Sequence, residues 1–278
     1  MDVSSDGGRP WVRSLSHQLS PADVNADLTR CGLLVERAEA LASLYREHGN
    51  WNDVKDRWFD ERLSNRSTRS SAQAIFRVLT SRLKNAPPSL PNPRDLPEIL
   101  DRCATARDEA QVLSLYLVED DALVRYVVHE YVSRIERDHR EPLDFSDETL
   151  GDVLRSLEYA DGSAFDYADS TTGRWCDGFR SVMREIDVLG GQRDVVGSPP
   201  AVGDIPLLVA LGYSYEVGGE DWVNAPRGLL YLFQPEDHWD ELFDRAARTD
   251  AWEFVELHGD LRLRPTETTY DWATGGAR

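Results

Sequence analysis

The chain has 278 residues, 41% hydrophobic and 29% charged, enough apolar content for a folded core and too much for a disordered chain. Acids outnumber bases 50 to 31, a net charge of -19. The longest apolar run, Ile205 to Tyr213, is about half the ~18 residues of a membrane helix, so no membrane partner is expected; Met1 to Gly8, with Asp2 and Asp6 and no apolar core, does not read as a targeting segment.

Lys55 and Lys84 are the lysines, and every other base is arginine. A GC-rich genome and a salt-rich cytoplasm both enrich arginine over lysine or acids over bases. The excess of Asp and Glu points to the second, because molar salt screens the self-repulsion of an acidic surface while that surface stays hydrated. The midpoint of thermal unfolding is therefore expected to rise with KCl into the molar range; a flat or falling midpoint would leave codon usage as the cause. Cys31, Cys103 and Cys176 are widely spaced and odd in number, which implies no disulfide framework and makes the cytoplasm the expected compartment.

In chain order, residues 1–27 read as a loose polar arm. A first helix is expected from Leu33 to His48, with Leu34, Ala38, Leu41 and Tyr45 on one face and Gly49 as its stop. Asn50 suits the N-cap of a second helix carrying Trp51, Val54 and Trp58. Ser67 or Thr68 suits the cap of a third, from Thr68 to Lys84, with a stripe of Ala72, Ile75, Phe76, Leu79 and Leu83. These three form a basic unit over residues 28–85. Five prolines in residues 86–97 predict an extended linker and a boundary.

A central helical bundle is expected over residues 98–191. It begins with a short helix after Pro97. Two helices near Asp108–Val118 and Asp121–Arg137 follow, each apolar around most of its circumference, as a mid-bundle helix must be. Ser146 or Asp147 opens the next. Thr171 or Thr172 is expected to cap one more, with a stripe of Trp175, Phe179, Val182, Met183, Ile186 and Leu189 and a stop at Gly190 and Gly191. Residues 192–278 read as an acidic α+β region, with a helix from Pro235 to Arg248 and a hairpin of Trp252–Leu257 and Leu261–Arg264 about His258, Gly259 and Asp260. The fold class is thus mostly α, with a helix-turn-helix-like N-terminal unit, a central bundle and a small α+β C-terminal region.

Catalytic signatures are absent from the sequence. His129-Glu130 starts like a zinc-protease motif, but Ser133 stands where the second histidine belongs. No paired-cysteine motif, phosphate-binding glycine loop, dinucleotide fingerprint or nucleophile elbow occurs. Asp53-Val54-Lys55 resembles the end of a nuclease site but falls on a helix, and Asp120 and Asp121 read as helix caps. No enzyme activity, cofactor or metal is expected.

The charge pattern breaks once. Arg62 to Lys84 holds Arg62, Arg66, Arg69, Arg77, Arg82 and Lys84 and not one acid. At about 100° per residue, Ser70, Gln73, Arg77 and Lys84 share one helix face. Such a face suits the major groove of duplex DNA, where arginine and glutamine contact guanine and adenine edges, while Arg62, Arg66 and Arg69 hold phosphates. Equally, a solvated helix whose arginines pair with acids elsewhere would show this pattern. A second helix with Arg174, Arg180 and Arg184 also carries Asp177, Glu185 and Asp187, which favours a solvated face there. The last 128 residues hold 24 acids and 11 bases, a poor surface for phosphate.

The sequence resembles the BrxA family of BREX phage-defence systems. The resemblance is carried by Cys31-Gly32-Leu33-Leu34 with the Glu36–Tyr45 helix, by Trp51 to Arg62, by Arg69-Ser70-Ser71-Ala72 leading to Leu83, and by Trp175 to Leu189, written WCDGFRSVMREIDVL. It covers about Leu28 to Leu211, and this chain is longer and far more acidic than the usual member. It implies a helical fold likened to the RNA-binding antiterminator NusB. It also implies a nucleic-acid-binding accessory role beside a methyltransferase and a large ATPase, without catalytic residues. Duplex DNA is the expected partner, with an adaptor that docks other BREX proteins, or a NusB-like RNA binder, as the alternatives.

Overall fold

Three helices form in the expected order at the N-terminal end: α1 (Val35–His48), α2 (Trp51–Asp60) and α3 (Arg69–Lys84). The computed structural model describes residues 19–137, 143–257 and 260–274. Residues 1–18 of the expected arm and His258 and Gly259 of the expected hairpin turn lie outside the described residues. Gly49, at φ 64°, closes α1 with its N–H on the Tyr45 carbonyl, a conformation that only glycine adopts cheaply. The Asn50 side chain accepts the Asn52 N–H and caps α2; Thr68 accepts the Ser71 N–H and caps α3. Tyr45 stacks on Trp51 with ring centroids 4.2 Å apart, and Phe76 meets Trp58 at 5.9 Å and Phe59 at 5.7 Å, so aromatic contacts knit the three helices together.

The proline-rich stretch packs against the core. Leu90 and Leu96 are buried, the Tyr116 hydroxyl donates to the Pro91 carbonyl at 2.7 Å, and the Tyr270 hydroxyl donates to the Ser89 carbonyl at 2.7 Å. A chain that cannot form a helix here has its carbonyls satisfied by tyrosines from elsewhere in the fold.

After α4 (Leu96–Asp101) comes α5 (Ala106–Asp120), capped by Thr105, whose residues from Ala110 to Val118 are all buried. It is the hub of the molecule and contacts α1, α3, α6 (Ala122–Arg137) and α8 (Asp169–Glu185). Between α6 and α8 lie β1 (Leu143–Asp144) and α7 (Asp147–Arg155), the latter capped by Ser146 as expected. The start of α8 differs from expectation. Its N-cap is Ala168, and the Thr171 and Thr172 N–H groups bond the Ala168 carbonyl, so both threonines are already helical. It ends at Glu185, before Gly190 and Gly191, because Asp187 takes φ 68° and the Val188 N–H turns back onto the Met183 carbonyl.

β2 (Val196–Gly197) pairs antiparallel with β1, and α9 (Asp204–Gly218) then runs back through the core. The sequence pattern missed α9. Residues Pro206 to Ser214 are buried on every side, so no polar stripe marks a helical period, and Pro206 lies in the first turn, where proline is tolerated. The remainder is α10 (Arg227–Tyr231), α11 (Trp239–Ala247), the expected hairpin of β3 (Trp252–Leu257) and β4 (Asp260–Pro265), and α12 (Asp271–Thr274). One hydrophobic core joins residues from Leu19 to Ala273. The result is a mostly α fold with a small α+β region at the C-terminal end. No helix among the described residues is long and apolar enough to cross a membrane.

Candidate nucleic-acid interface

Helix α3 presents its apolar side, Ala72, Ile75, Val78, Leu79 and Leu83, to the core. Arg66, Arg69, Ser70, Gln73, Arg77 and Lys84 are left exposed, and Arg62 is exposed just before it. Arg62 and Asn65 both take positive φ, 54° and 48°, and turn the chain sharply between α2 and α3. Arg77 pairs with Asp27 at 2.6 Å. Arg62, Arg66, Arg69 and Lys84 form no ion pair with another described residue within 4.0 Å. The expected face is therefore assembled, with one arginine of it partly neutralised.

The start of α3 carries exposed positive charge where helices favour negative. Helices prefer acids there, because each negative charge near the N-terminal dipole stabilises by about 0.3–1 kcal/mol. Acids occupy the first turn of α1, α2, α4, α5, α7, α8, α9 and α11. Helices α3, α6 and α10 have none, and of these α3 begins on an exposed arginine, Arg69, with exposed Arg66 just outside.

Arg82 corrects the sequence reading. It is 4% exposed and points away from the basic face, its guanidinium donating to the Gly32 carbonyl at 2.6 Å and the Cys31 carbonyl at 3.1 Å. Burial draws its pKa below the ordinary arginine value, opposed by the Asp121 and Asp120 carboxylates. Burial in turn pushes Asp121 up to about 6, against the Val124 N–H, the Arg82 charge and the Leu123 N–H. Asp121 caps α6 by accepting from the Leu123 and Val124 N–H groups at 3.0 and 3.1 Å, and Asp120 accepts from the Ser81 hydroxyl at 2.8 Å. Arg82 thus fastens α3 to the segment before α1, which a helical wheel cannot distinguish from an exposed base.

That segment brings a cation the sequence did not flag. A 3-10 turn, Asp27–Thr29, leads to Arg30 and Cys31 and packs on α8. Gly178 of α8 permits the contact, since a Cβ there would lie 2.3 Å from the Leu28 carbonyl oxygen. Exposed Arg30 then faces the N-terminal end of α3 across a cleft shared with Arg66, Ser70 and Ser71. Arg30 stands 36 residues before Arg66 and beside Asp27, so no local charge pattern signals it. The second basic helix resolves as a structural element: Arg180 is buried and pairs with Asp147 at 2.8 Å and Asp177 at 2.6 Å, and Arg184 donates to the Gly191 carbonyl at 3.1 Å.

No curated protein matches the sequence. The fold is similar to the crystal structure of an uncharacterized protein from Magnetospirillum magneticum, with a TM-score of 0.51 and 14% identity over 76% of this chain and 98% of that one. The BrxA family model matches residues 23–194. The matched span takes in the Asp27 turn and every helix from α1 to α8, including the basic face and the Arg82 anchor, and on that match the chain belongs to the BrxA family of BREX phage-defence proteins.

Proposed function

We infer that this protein is a DNA-binding accessory component of a BREX system and that it docks on duplex DNA through the exposed face of α3. BrxA is a non-catalytic accessory family, which gives the protein a BREX-associated role in phage defence. The observation that carries the DNA reading is the start of α3, where Arg69 in the first turn and Arg66 just before it stand exposed with no acid in that turn, in a chain of net charge -19. In this reading Arg62, Arg66, Arg69 and Lys84 are the phosphate contacts that fix register, and Gln73, Ser70 and Arg77 read base edges. The packing of α1, α2 and α3 with the basic helix third is consistent with helix-turn-helix docking.

Duplex is favoured over single strands because the face lacks a stacking platform. Phe59 and Phe76 are engaged with each other in the aromatic cluster, and the large exposed hydrophobics among the described residues are Val195, Val196 and Phe254, none of them on α3. A titration of labelled duplex and of either of its strands at low KCl tests this. Duplex is expected to bind roughly tenfold tighter than single strand, about 1.4 kcal/mol. Equal or tighter binding of single-stranded DNA or RNA would replace the duplex reading with a NusB-like one.

A further inference from the structure

We propose that the cleft between Arg30 and Arg66 is a seat for a phosphomonoester dianion, the terminal phosphate of a nucleic-acid end or of a free nucleotide. The nucleic-acid source rests on the DNA reading above; the pocket itself does not. The cleft has a volume of about 320 Å³ and is lined by Arg30, Cys31, Arg66, Ser70 and Ser71, with Ile75 as apolar backing. Its two guanidinium groups come from separate segments, and neither pairs with an acid among the described residues. Two converging arginines repel each other. In a chain with 19 more acids than bases, that neither has a counter-charge among the described residues is informative. The nearest acid in that turn, Asp27, is engaged by Arg77 at 2.6 Å.

The chemistry selects the ligand. Two fixed positive charges match a phosphomonoester, which carries close to two negative charges at pH 7 because its second pKa is about 6. The two planar donor forks and the two serine hydroxyls match its three terminal oxygens. The Ser71 hydroxyl oxygen accepts from Thr68 Oγ1 at 2.8 Å, which leaves its own hydrogen to donate into the cleft. A phosphodiester inside a duplex carries one charge and two free oxygens, and its ester bonds continue on both sides. It can touch the exposed tips of Arg66 and Arg69 but does not fill a recess.

The back wall is held in advance. Arg82 grips the Cys31 and Gly32 carbonyls, and the close approach of Leu28 to Gly178 fixes the turn that bears Arg30. A preformed wall spares the ordering cost that binding would otherwise incur.

The experiment compares two duplexes identical except for a 5′-phosphate or a 5′-hydroxyl, with wild type, Arg30→Ala and Arg30→Lys, and adds adenosine monophosphate as a free-nucleotide probe. Arg30 is exposed and its side chain forms no ion pair with another described residue, so its loss is expected to leave the chain folded. The 5′-phosphate duplex is expected to bind wild type about tenfold tighter. That ratio is expected to fall toward one as pH drops below about 6 and the dianion gains a proton. It should fall to about one in Arg30→Ala, with Arg30→Lys in between, because lysine keeps the charge without the fork. A wild-type ratio of one overturns the terminal-phosphate seat and leaves the duplex reading standing. If neither duplex binds, the duplex reading fails, and the pocket is decided by the monophosphate. A rise in melting midpoint in wild type and not in Arg30→Ala sustains it with a free nucleotide as the source, and no rise overturns it.

Discussion

Arg82→Ala is expected to lower stability by about 3 kcal/mol and the melting midpoint by roughly 6–12 °C, while DNA affinity of the folded fraction changes little. The guanidinium is buried and satisfies two backbone carbonyls, Gly32 and Cys31, which lose that donor once it is gone. Its charge also lies near Asp120 and Asp121 in a poorly solvated site. Asp121 has a folded-state pKa raised to about 6, above its ordinary 3.8, so its protonated form favours the folded chain and its ionisation weakens folding as pH rises through that window. Arg82 opposes that rise. Without it the Asp121 pKa climbs further, and the deficit of the variant is expected to be largest near pH 7 and to narrow toward pH 4. Paired melts of wild type and Arg82→Ala across that range check both parts. A variant that melts with wild type yet loses DNA binding would return Arg82 to the interface.

Much of the fold was legible because amphipathic helices advertise themselves. Ala38 and Leu41, Ile75 and Leu79, and Trp175 and Phe179 recur at helical spacing and all reach the core. Caps were legible for the same local reason: Asn50, Thr68 and Ser146 each accept the N–H their position predicts. Helix α9 was hidden because burial all round erases periodicity. The α8 start was misplaced because a threonine pair resembles a cap whether or not the backbone has already turned helical. The basic face was legible as an acid-free run, and Arg66, Arg69, Ser70, Gln73 and Lys84 do lie exposed together. Arg82 and Arg30 were not legible, one because an arginine can turn inward to serve carbonyls, the other because only tertiary packing of the Asp27 turn on α8 brings it to α3.

The second large effect concerns binding. An Arg66/Arg69/Lys84 triple alanine variant is expected to fold like wild type, since all three side chains are exposed and none pairs with another described residue within 4.0 Å. Removal of Arg69 from the first turn even relieves an unfavourable dipole contact. Each lost phosphate contact lowers the salt slope by about 0.9, so the triple variant should lose nearly three units of slope and about a hundredfold in affinity at low KCl. In molar KCl counterion release contributes little, and binding of the purified protein that persists there must come from base-edge contacts such as Gln73 and Arg77.

A titration of labelled duplex DNA from low to molar KCl, with wild type and with the triple variant confirmed to be folded, tests the central claim most directly. Tight wild-type binding at low KCl, with affinity and salt slope both reduced in the variant, is the predicted result. Wild type that fails to bind at low KCl, or a folded variant that binds as well as wild type, would contradict the basic-face reading and leave an adaptor docked to other BREX proteins in its place.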